Sequence, residues 1–199
     1  MRLFFEIVMG LTSVVGLTFI IERGLALRWN RVIPRVIEDA VCASESESGR
    51  AEVRRVCLDH PSPVARLLVT ADQNLGLTKE ENENTLQTRA RQEIMQLERG
   101  LVVLEIVVGI APLLGLVGTI YGMMTLFGEL GQSATTADSA VLAQGISLIL
   151  NFTMMGLLIA IPSLIAWNYY TKKVEMLAVE MESVCSEFLR RQYHEQAFK

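Results

Sequence analysis

Polar side chains interrupt two long apolar runs in the second half of the chain. Thr119 lies in the first run (residues 101–127), and Ser147, Asn151 and Thr153 lie in the second (residues 141–167). Polar groups at such depths in a bilayer are costly and usually have a function. Ser147 and Asn151 are four residues apart and share a helical face, and an asparagine amide is not easily satisfied within one helix. The pattern predicts a polar lining of an ion pathway or, alternatively, a hydrogen-bonded cluster between helices.

The remaining residues offer no machinery for catalysis or for binding metal or nucleic acid. The sequence contains no nucleophile–base pair, no metal-spaced group of His and Cys, no Gly-rich phosphate loop and no basic stripe. No enzymatic activity, cofactor, metal or nucleic-acid partner is therefore expected. Cys42, Cys57 and Cys185 are odd in number and widely spaced, which indicates reduced, semi-buried thiols rather than disulfides.

The composition is typical of a membrane protein. Of 199 residues, 51% are hydrophobic, the mean hydropathy is +0.35, and most charged residues fall between residues 22 and 99 or after residue 171. A further apolar run covers residues 3–21. It could be a signal peptide, but its length and the absence of a small-residue cleavage site favour a first transmembrane helix. Glu6 near its outer end is interpreted as an interfacial carboxylate.

Basic residues set the expected orientation, because Lys and Arg mark the cytoplasmic side of short loops. They follow the first and third apolar runs: Arg23, Arg28, Arg31, Arg35, Lys172 and Lys173. The link between the second and third runs has acidic residues, Glu129 and Asp138, but no Lys or Arg, and is predicted to be periplasmic. Trp29 suits an interfacial anchor.

These elements predict an all-α membrane protein with three transmembrane helices, N-out and C-in. The helices are predicted at residues 1–22, 100–127 and 141–170, with a cytoplasmic helical segment at 23–99, a periplasmic link at 128–140 and a cytoplasmic C-terminal helix at 171–199. Thr78 and Glu81 have the spacing of a capping box. The helix that they begin is expected to continue into the second span, and the third helix is likewise expected to extend into the cytoplasm. Residues 44–50 are expected to form a turn or loop.

Small residues and prolines are expected to shape the contacts between the spans. Glycines let membrane helices approach closely, and prolines remove backbone donors and bend helices. The residues concerned are Gly115, Gly118, Gly122, Pro112 and Pro162. Glu105, near the inner end of the second span, is a possible carboxylate at the inner mouth. Thr119 could simply bond its own helix backbone.

Two stretches resemble the signatures of the MotA/TolQ/ExbB proton channel family. Residues 111–123, APLLGLVGTIYGM, are similar to the family's span-two signature. Residues 145–170 are similar to its span-three signature, in which a GI-x-x-x-L stretch leads to T-x-x-GL-x-x-AIP. The two motifs occur in the family's order and at its separation, and the segment ERGLALR after the first span also fits.

The resemblance, most specific to the ExbB/TolQ branch, implies an ion-channel and stator subunit in the bacterial inner membrane. It implies a homopentamer whose second and third helices surround the single membrane helix of an ExbD/TolR-like partner. Flow of H⁺ or Na⁺ would move that partner, which could act with a TonB- or TolA-like protein in an envelope process such as TonB-dependent transport. Membrane lipids complete the expected partners.

The family's two pore threonines correspond to Thr119 and Thr153, and its partner carries the ion-binding carboxylate. At the position where ExbB and TolQ typically have a Glu in span three, this chain has Leu148. Neither the choice of ion nor the effect of this difference follows from the sequence. The rival hypothesis is a structural membrane scaffold without ion coupling.

Overall fold

A computed structural model describes residues 2–44, 47–132 and 139–196, and the regular structure assigned there is helical. Its helices follow one another along the chain as α1 (Arg2–Ala26), α2 (Trp29–Val32), α3 (Arg35–Cys42), α4 (Glu47–Asp59), α5 (Pro63–Gln73), α6 (Lys79–Glu98), α7 (Leu101–Gln132) and α8 (Ser139–Gln196).

Three of these helices are long and apolar enough to cross a membrane. The apolar stretches are Leu3–Ala26 in α1, Leu101–Gly128 in α7 and a segment that begins at Leu142 in α8. The predicted all-α fold with three potential spans is confirmed. The orientation in the membrane stays a prediction. Residues 133–138 of the predicted periplasmic link lie outside the described residues.

The chain divides into two compact units. The first, the membrane unit, contains residues 1–23 and 100–169, and the second, the polar unit, contains residues 24–99 and 170–199. In the membrane unit most large apolar side chains are exposed, as in a helix that faces lipid or other protein chains. Its buried residues on α7 and α8 include Leu104, Val107, Ala111, Ile149 and Ala160, and Met9 is buried on α1.

The polar unit has a conventional apolar core. The end of α8 carries the predicted apolar stripe, which continues through Val174, Leu177, Met181, Val184 and Phe188, and all five are buried. Residues from α2, α3 and α5 close this core, and Ile33, Ile37 and Leu68 are almost fully buried. Ser62 caps α5 by accepting a hydrogen bond from the Ala65 amide at 3.2 Å.

The predicted capping box begins α6. The Thr78 hydroxyl accepts from the Glu81 amide at 3.3 Å, and the Glu81 carboxylate accepts from the Thr78 amide at 3.1 Å. The expected continuous helix is, however, interrupted, because α6 ends at Glu98 and α7 begins at Leu101. Glycine favours helix termination, and a Cβ at Gly100 would overlap the Arg23 guanidinium. Arg23 comes from α1, so only the fold reveals this reason for a glycine.

The segment at residues 44–50 also differs from its prediction. Glu47 to Arg50 form the first turn of α4, and residues 45–46 lie outside the described residues. Ser44 is buried, and its hydroxyl donates to the Val41 carbonyl at 2.7 Å, which closes the end of α3. A Cβ at Gly49 would lie 2.8 Å from the Ser44 Cα, so the chain turns back on itself tightly here.

Candidate ion pathway

Helices α7 and α8 run antiparallel and meet through small residues. A Cβ on Gly115 would lie 2.8 Å from the Phe152 carbonyl oxygen and 3.1 Å from the Thr153 Cα. Further along, Gly118 contacts Phe152, and Gly122 contacts Ile149, where the corresponding approaches are 3.1 and 2.7 Å. The three glycines singled out by the sequence therefore face α8. Both helices continue through their internal prolines, Pro112 and Pro162.

Helix α1 covers one side of the α7–α8 pair. A Cβ on Gly16 would lie 3.2 Å from the Ser163 hydroxyl oxygen on α8 and 3.4 Å from Val107 on α7. Near the other end of α1, the Phe5 ring lies 5.8 Å from the Tyr121 ring and 6.4 Å from the Phe152 ring, measured between centroids. α1 thus contacts both partners along one common side.

Thr119 and Thr153 lie on the other side of the same pair. Thr119 follows Gly118 by one residue, which is a rotation of about 100° around the α7 axis. Thr153 precedes Gly156 by three residues, which is equivalent to a rotation of about 60° around the α8 axis. Both rotations have the same sign when each helix is followed from its N-terminus to its C-terminus. Because the two helices are antiparallel, both rotations lead to the same side, opposite to α1. Thr153 lies beside Gly115, which is one turn nearer to the start of α7 than Thr119.

An open groove of about 580 Å³ follows this side of the pair. Thr119 is a polar residue in an otherwise apolar wall, which is formed by Ile120, Met123, Met124, Phe127, Ile146, Ile149 and Leu150. Sequence reasoning did not find these apolar residues, because an apolar side chain that lines a groove has the same type as one that faces lipid.

The two threonine hydroxyls differ in their bonding. Thr119 Oγ1 donates to the Leu116 carbonyl of its own helix at 2.7 Å. Within the described part of the chain, no hydrogen bond is assigned to Thr153 Oγ1, although its side chain is half-buried. A hydroxyl without an internal partner can hydrogen-bond to a water molecule or a carboxyl group that enters the groove. Of the two threonines, Thr153 thus has the greater capacity to receive a ligand.

Glu105 and Pro112 share the Thr119 side of α7. The three residues are seven apart, and seven residues complete almost two turns, so each lies within about 20° of the next around the helix. Glu105 is exposed, one turn inside the start of α7. A carboxylate and a hydroxyl therefore mark two levels of one face, with Pro112 between them.

Ser147 and Asn151 do not join this face. Both are exposed. Each lies about 160° around α8 from the residues that contact α7, one on either side of the line that points directly away from α7. Among the described residues, neither side chain has a hydrogen-bonding partner. The four polar residues predicted to line one pathway are thus divided between the uncovered side of the α7–α8 pair, with Thr119 and Thr153, and the outward face of α8. Leu148, at the position of the family's usual Glu, is 44% exposed.

A comparison with protein families shows which family the chain belongs to. The pattern of the MotA/TolQ/ExbB proton channel family matches residues 59–183, which include α5 to α7 and most of α8. This chain belongs to that family.

Named relatives agree with the ExbB branch of the family. An ExbB-like biopolymer transport protein from Synechocystis is 28% identical over 192 residues, 92% of this chain and 89% of the relative. The biopolymer transport protein ExbB of Aquifex aeolicus is 29% identical over 121 residues, 61% of this chain and 80% of that protein. The ExbB of Helicobacter pylori is 37% identical over 84 residues, which are 42% of this chain and 57% of that protein.

Membership of the MotA/TolQ/ExbB family supports an ExbB-like transport role in a membrane. The match covers the helix pair with Thr119 and Thr153, whereas α1 to α3 and nearly all of α4 precede it. The family comprises channel and transport subunits and not enzymes.

Proposed function

We propose that this chain is the channel-forming, stator-like subunit of an ExbB/TolQ-type motor. In this proposal, several copies surround the single membrane helix of an ExbD/TolR-like partner in the bacterial inner membrane. The proton or sodium motive force drives ions along the contact and moves the partner, which powers an envelope process such as TonB-dependent transport. The observation that carries the proposal is the open groove beside Thr119, on the side of α7–α8 that α1 leaves uncovered and on which Thr153 also lies.

The groove fits a protein surface that faces a partner rather than lipid alone. Its wall is apolar, as contact with a membrane helix requires. The Thr119 hydroxyl in this wall, and the Thr153 hydroxyl on the same side of the helix pair, can hydrogen-bond to a carboxyl group in either protonation state. A carboxylate that alternately binds and releases an ion needs such neutral polar neighbours, because a fixed charge would favour one state permanently.

The ion-binding carboxylate is assigned to the partner. α8 contains no acidic residue between Ser139 and Val174, and Glu105 lies at the beginning of α7 rather than at the level of the threonines. A membrane potential supplies about 2.3 kcal/mol per charge per 100 mV. A few ions thus provide enough free energy for a conformational step of several kcal/mol.

Ser147 and Asn151 receive a different role in this proposal. An exposed amide and hydroxyl are costly in lipid, and both side chains lie on the face of α8 that points away from α7. Contact with a neighbouring copy would satisfy both groups. The proposed oligomer, a pentamer by family resemblance, therefore has polar contacts between copies as well as a polar pathway.

The test is native mass spectrometry of the complex purified from its own membranes in mild detergent. A pentamer that retains a smaller, single-span protein with a membrane Asp is the expected result, and it would identify the partner. A homo-oligomer of another order, without such a protein in preparations that keep bound lipid, would favour the structural scaffold and contradict the motor.

A further inference from the structure

A basic pocket lies in the polar unit where α1 ends. It has a volume of about 820 Å³ and is lined by Leu25, Arg28, Trp29, Asn30, Arg31 and Lys173. The first five follow one another at the end of α1 and the beginning of α2, and Lys173 comes from α8. Three of the six lining side chains are cationic and none is acidic, so an anion is the ligand favoured by charge.

Two of these cations have no internal partner. Within the described residues, neither the Arg28 nor the Arg31 guanidinium forms an ion pair or a hydrogen bond, and both side chains are exposed. Most other arginines of this unit do have carboxylate partners: Arg66 pairs with Glu93, and Arg190 with Glu187. A guanidinium presents a planar set of donors that matches the oxygen atoms of a phosphate group.

The backbone beneath the pocket is held in place. Leu27, between the lining residues, is fully buried. A Cβ on Gly24 would lie 2.9 Å from the Tyr170 hydroxyl oxygen, so the end of α1 packs directly on α8 three residues before Lys173. The two sides of the pocket therefore belong to one packed contact and are already positioned before a ligand arrives.

The position of the pocket indicates an amphiphilic ligand. The apolar stretch of α1 ends at Ala26, so Leu25 belongs to the last turn of a potential membrane span. Leu25 is 53% exposed and Trp29 is 39% exposed. Tryptophan prefers the interface between lipid and water. An apolar surface on the membrane side and cations on the water side fit a lipid headgroup better than a free anion.

We infer that this pocket binds the phosphate headgroup of an anionic glycerophospholipid, with its acyl chains along Leu25. Arg28, Arg31 and Lys173 would hold the phosphate, and Trp29 would pack against the glycerol region. The site is separate from the Thr119 and Thr153 groove and does not depend on ion coupling. Basic pockets on the cytoplasmic side of membrane proteins commonly hold such headgroups, which agrees with the predicted orientation.

The test uses the full chain, with any partners that co-purify, in nanodiscs containing equal amounts of palmitoyl-oleoyl phosphatidylglycerol and phosphatidylcholine. Lipids that remain bound after release are counted by native mass spectrometry. The wild-type protein is expected to retain phosphatidylglycerol preferentially. The double variant Arg28→Gln, Arg31→Gln should lower that preference roughly 25-fold, since each basic residue near an anionic surface contributes about a fivefold gain.

Two matched comparisons make the test specific. Lys173→Gln should weaken retention about fivefold, whereas Lys172→Gln should not, because Lys172 is outside the pocket and pairs with Glu175 at 2.7 Å. Arg28→Lys with Arg31→Lys keeps both charges and should retain most of the preference. These variants decide the question even if the double glutamine variant does not fold.

Several outcomes would overturn the inference. Equal retention of the two lipids by the wild-type protein would do so, and so would equal losses in the Lys172 and Lys173 variants. Displacement of phosphatidylglycerol by excess glycerol phosphate would indicate a site for free phosphate groups that does not need acyl chains.

Discussion

A Cβ placed on Gly156 would lie only 3.2 Å from the Cα of Gly115, so α7 and α8 meet backbone to backbone at this pair. Phe152 and Thr153 precede Gly156 by one turn, which places Thr153 at the edge of the contact. The close approach therefore fixes the level and direction of the hydroxyl proposed to face the pathway. Helix packing and the proposed ion pathway therefore depend on the same residues at this point of the membrane unit.

Gly156→Ala is expected to destabilise the membrane unit. The new Cβ would lie 2.6 Å from the Ala111 carbonyl oxygen, a backbone atom that cannot rotate away. Overpacking of this kind costs about 1–3 kcal/mol, whereas the gain in helix propensity from Ala is about 1 kcal/mol at most. The net effect should be a lower midpoint of thermal unfolding, measured by circular dichroism in detergent. Gly109→Ala is the control, because no atom lies within 4 Å of a Cβ there. Wild-type melting of the Gly156 variant would contradict the contact.

Thr119→Val and Thr153→Val should each reduce ion flux while leaving the complex assembled. Valine keeps the shape of threonine but removes the hydroxyl, so a carboxyl group in the groove loses a hydrogen-bonding partner. Loss of one such bond corresponds to about 1.5 kcal/mol, or roughly a tenfold lower flux. The larger loss is expected for Thr153, because Thr119 already donates to Leu116. Flux is measured with a pH-sensitive dye in liposomes that contain the purified complex.

The control for this pair is Thr125→Val. Thr125 is also on α7 and donates to the Tyr121 carbonyl at 2.9 Å, but it lies on the α1 side of the helix pair. Its replacement should leave the flux unchanged. If all three variants conduct equally well, the groove is not the ion pathway.

Asn151→Leu is expected to change assembly rather than ion flux per complex. Asn151 is exposed on the face of α8 that points away from α7 and has no hydrogen-bonding partner among the described residues, so we expect its amide to bond to a neighbouring copy. Loss of a hydrogen bond between membrane helices weakens association by about 1 kcal/mol per contact, and a ring repeats each contact. The fraction of intact oligomer, measured by light scattering after size-exclusion chromatography, should fall.

Met154→Leu provides the comparison, since Met154 is 53% exposed on α8 and carries no hydrogen-bonding group. Normal oligomers from the Asn151 variant, together with lost ion flux, would move Asn151 from the contact between copies to the pathway itself.

Glu93→Ala is expected to destabilise the polar unit by about 2–3 kcal/mol. Glu93 is 1% exposed and accepts from Arg66, whose Nε lies 3.0 Å from Oε1. Arg66 remains charged when its partner is removed, because a guanidinium is not deprotonated in proteins. Urea unfolding followed by circular dichroism measures the effect. Glu83→Ala is the control, because Glu83 forms an exposed pair with Lys79 at 3.6 Å and should change stability by less than about 0.5 kcal/mol. Equal effects would show that the burial of Glu93 does not matter.

Cys57 should resist alkylation in the folded protein, whereas Cys42 should react. Burial, aided by the charge of Asp72, raises the pKa of the Cys57 thiol to about 11, and Cys42 is exposed. The thiolate is the reactive form. Raising the pH from 7 to 9 should therefore accelerate iodoacetamide labelling of Cys42 and leave Cys57 unlabelled, as measured by peptide mass spectrometry.

The same pKa difference predicts a direction for stability. The Cys57 thiol ionises near its ordinary pKa in the unfolded chain but only near 11 in the folded chain, so its contribution to stability is complete below the ordinary value and is lost as the pH rises towards 11. Rapid labelling of Cys57 at neutral pH would contradict its buried position.

Local patterns in the sequence predicted the helices but not the contacts that depend on distant residues. The three apolar spans, the capping box at Thr78 and the apolar stripe at the end of α8 are local features, and all are found. The turn at Gly100 depends on Arg23, and the groove depends on how α7 packs on α8. The sequence correctly placed Ser147 and Asn151 on one face of α8. It could not show that this face points away from α7 while Thr153 lies at the edge of the α7 contact. The sequence does not show that Glu93 is buried, because its bonds to Arg66 join two different helices.

The side of α7–α8 that α1 covers has a consequence for rings of different size. In the proposed oligomer, each copy would carry its own outer cover, so the inward and outward surfaces would be set within one chain before copies meet. A ring with one subunit more or fewer would change its bore and the angle between neighbours, yet would expose the same wall to its axis. In this proposal, stoichiometry and pathway chemistry could vary independently, because they would depend on different faces of the same helices.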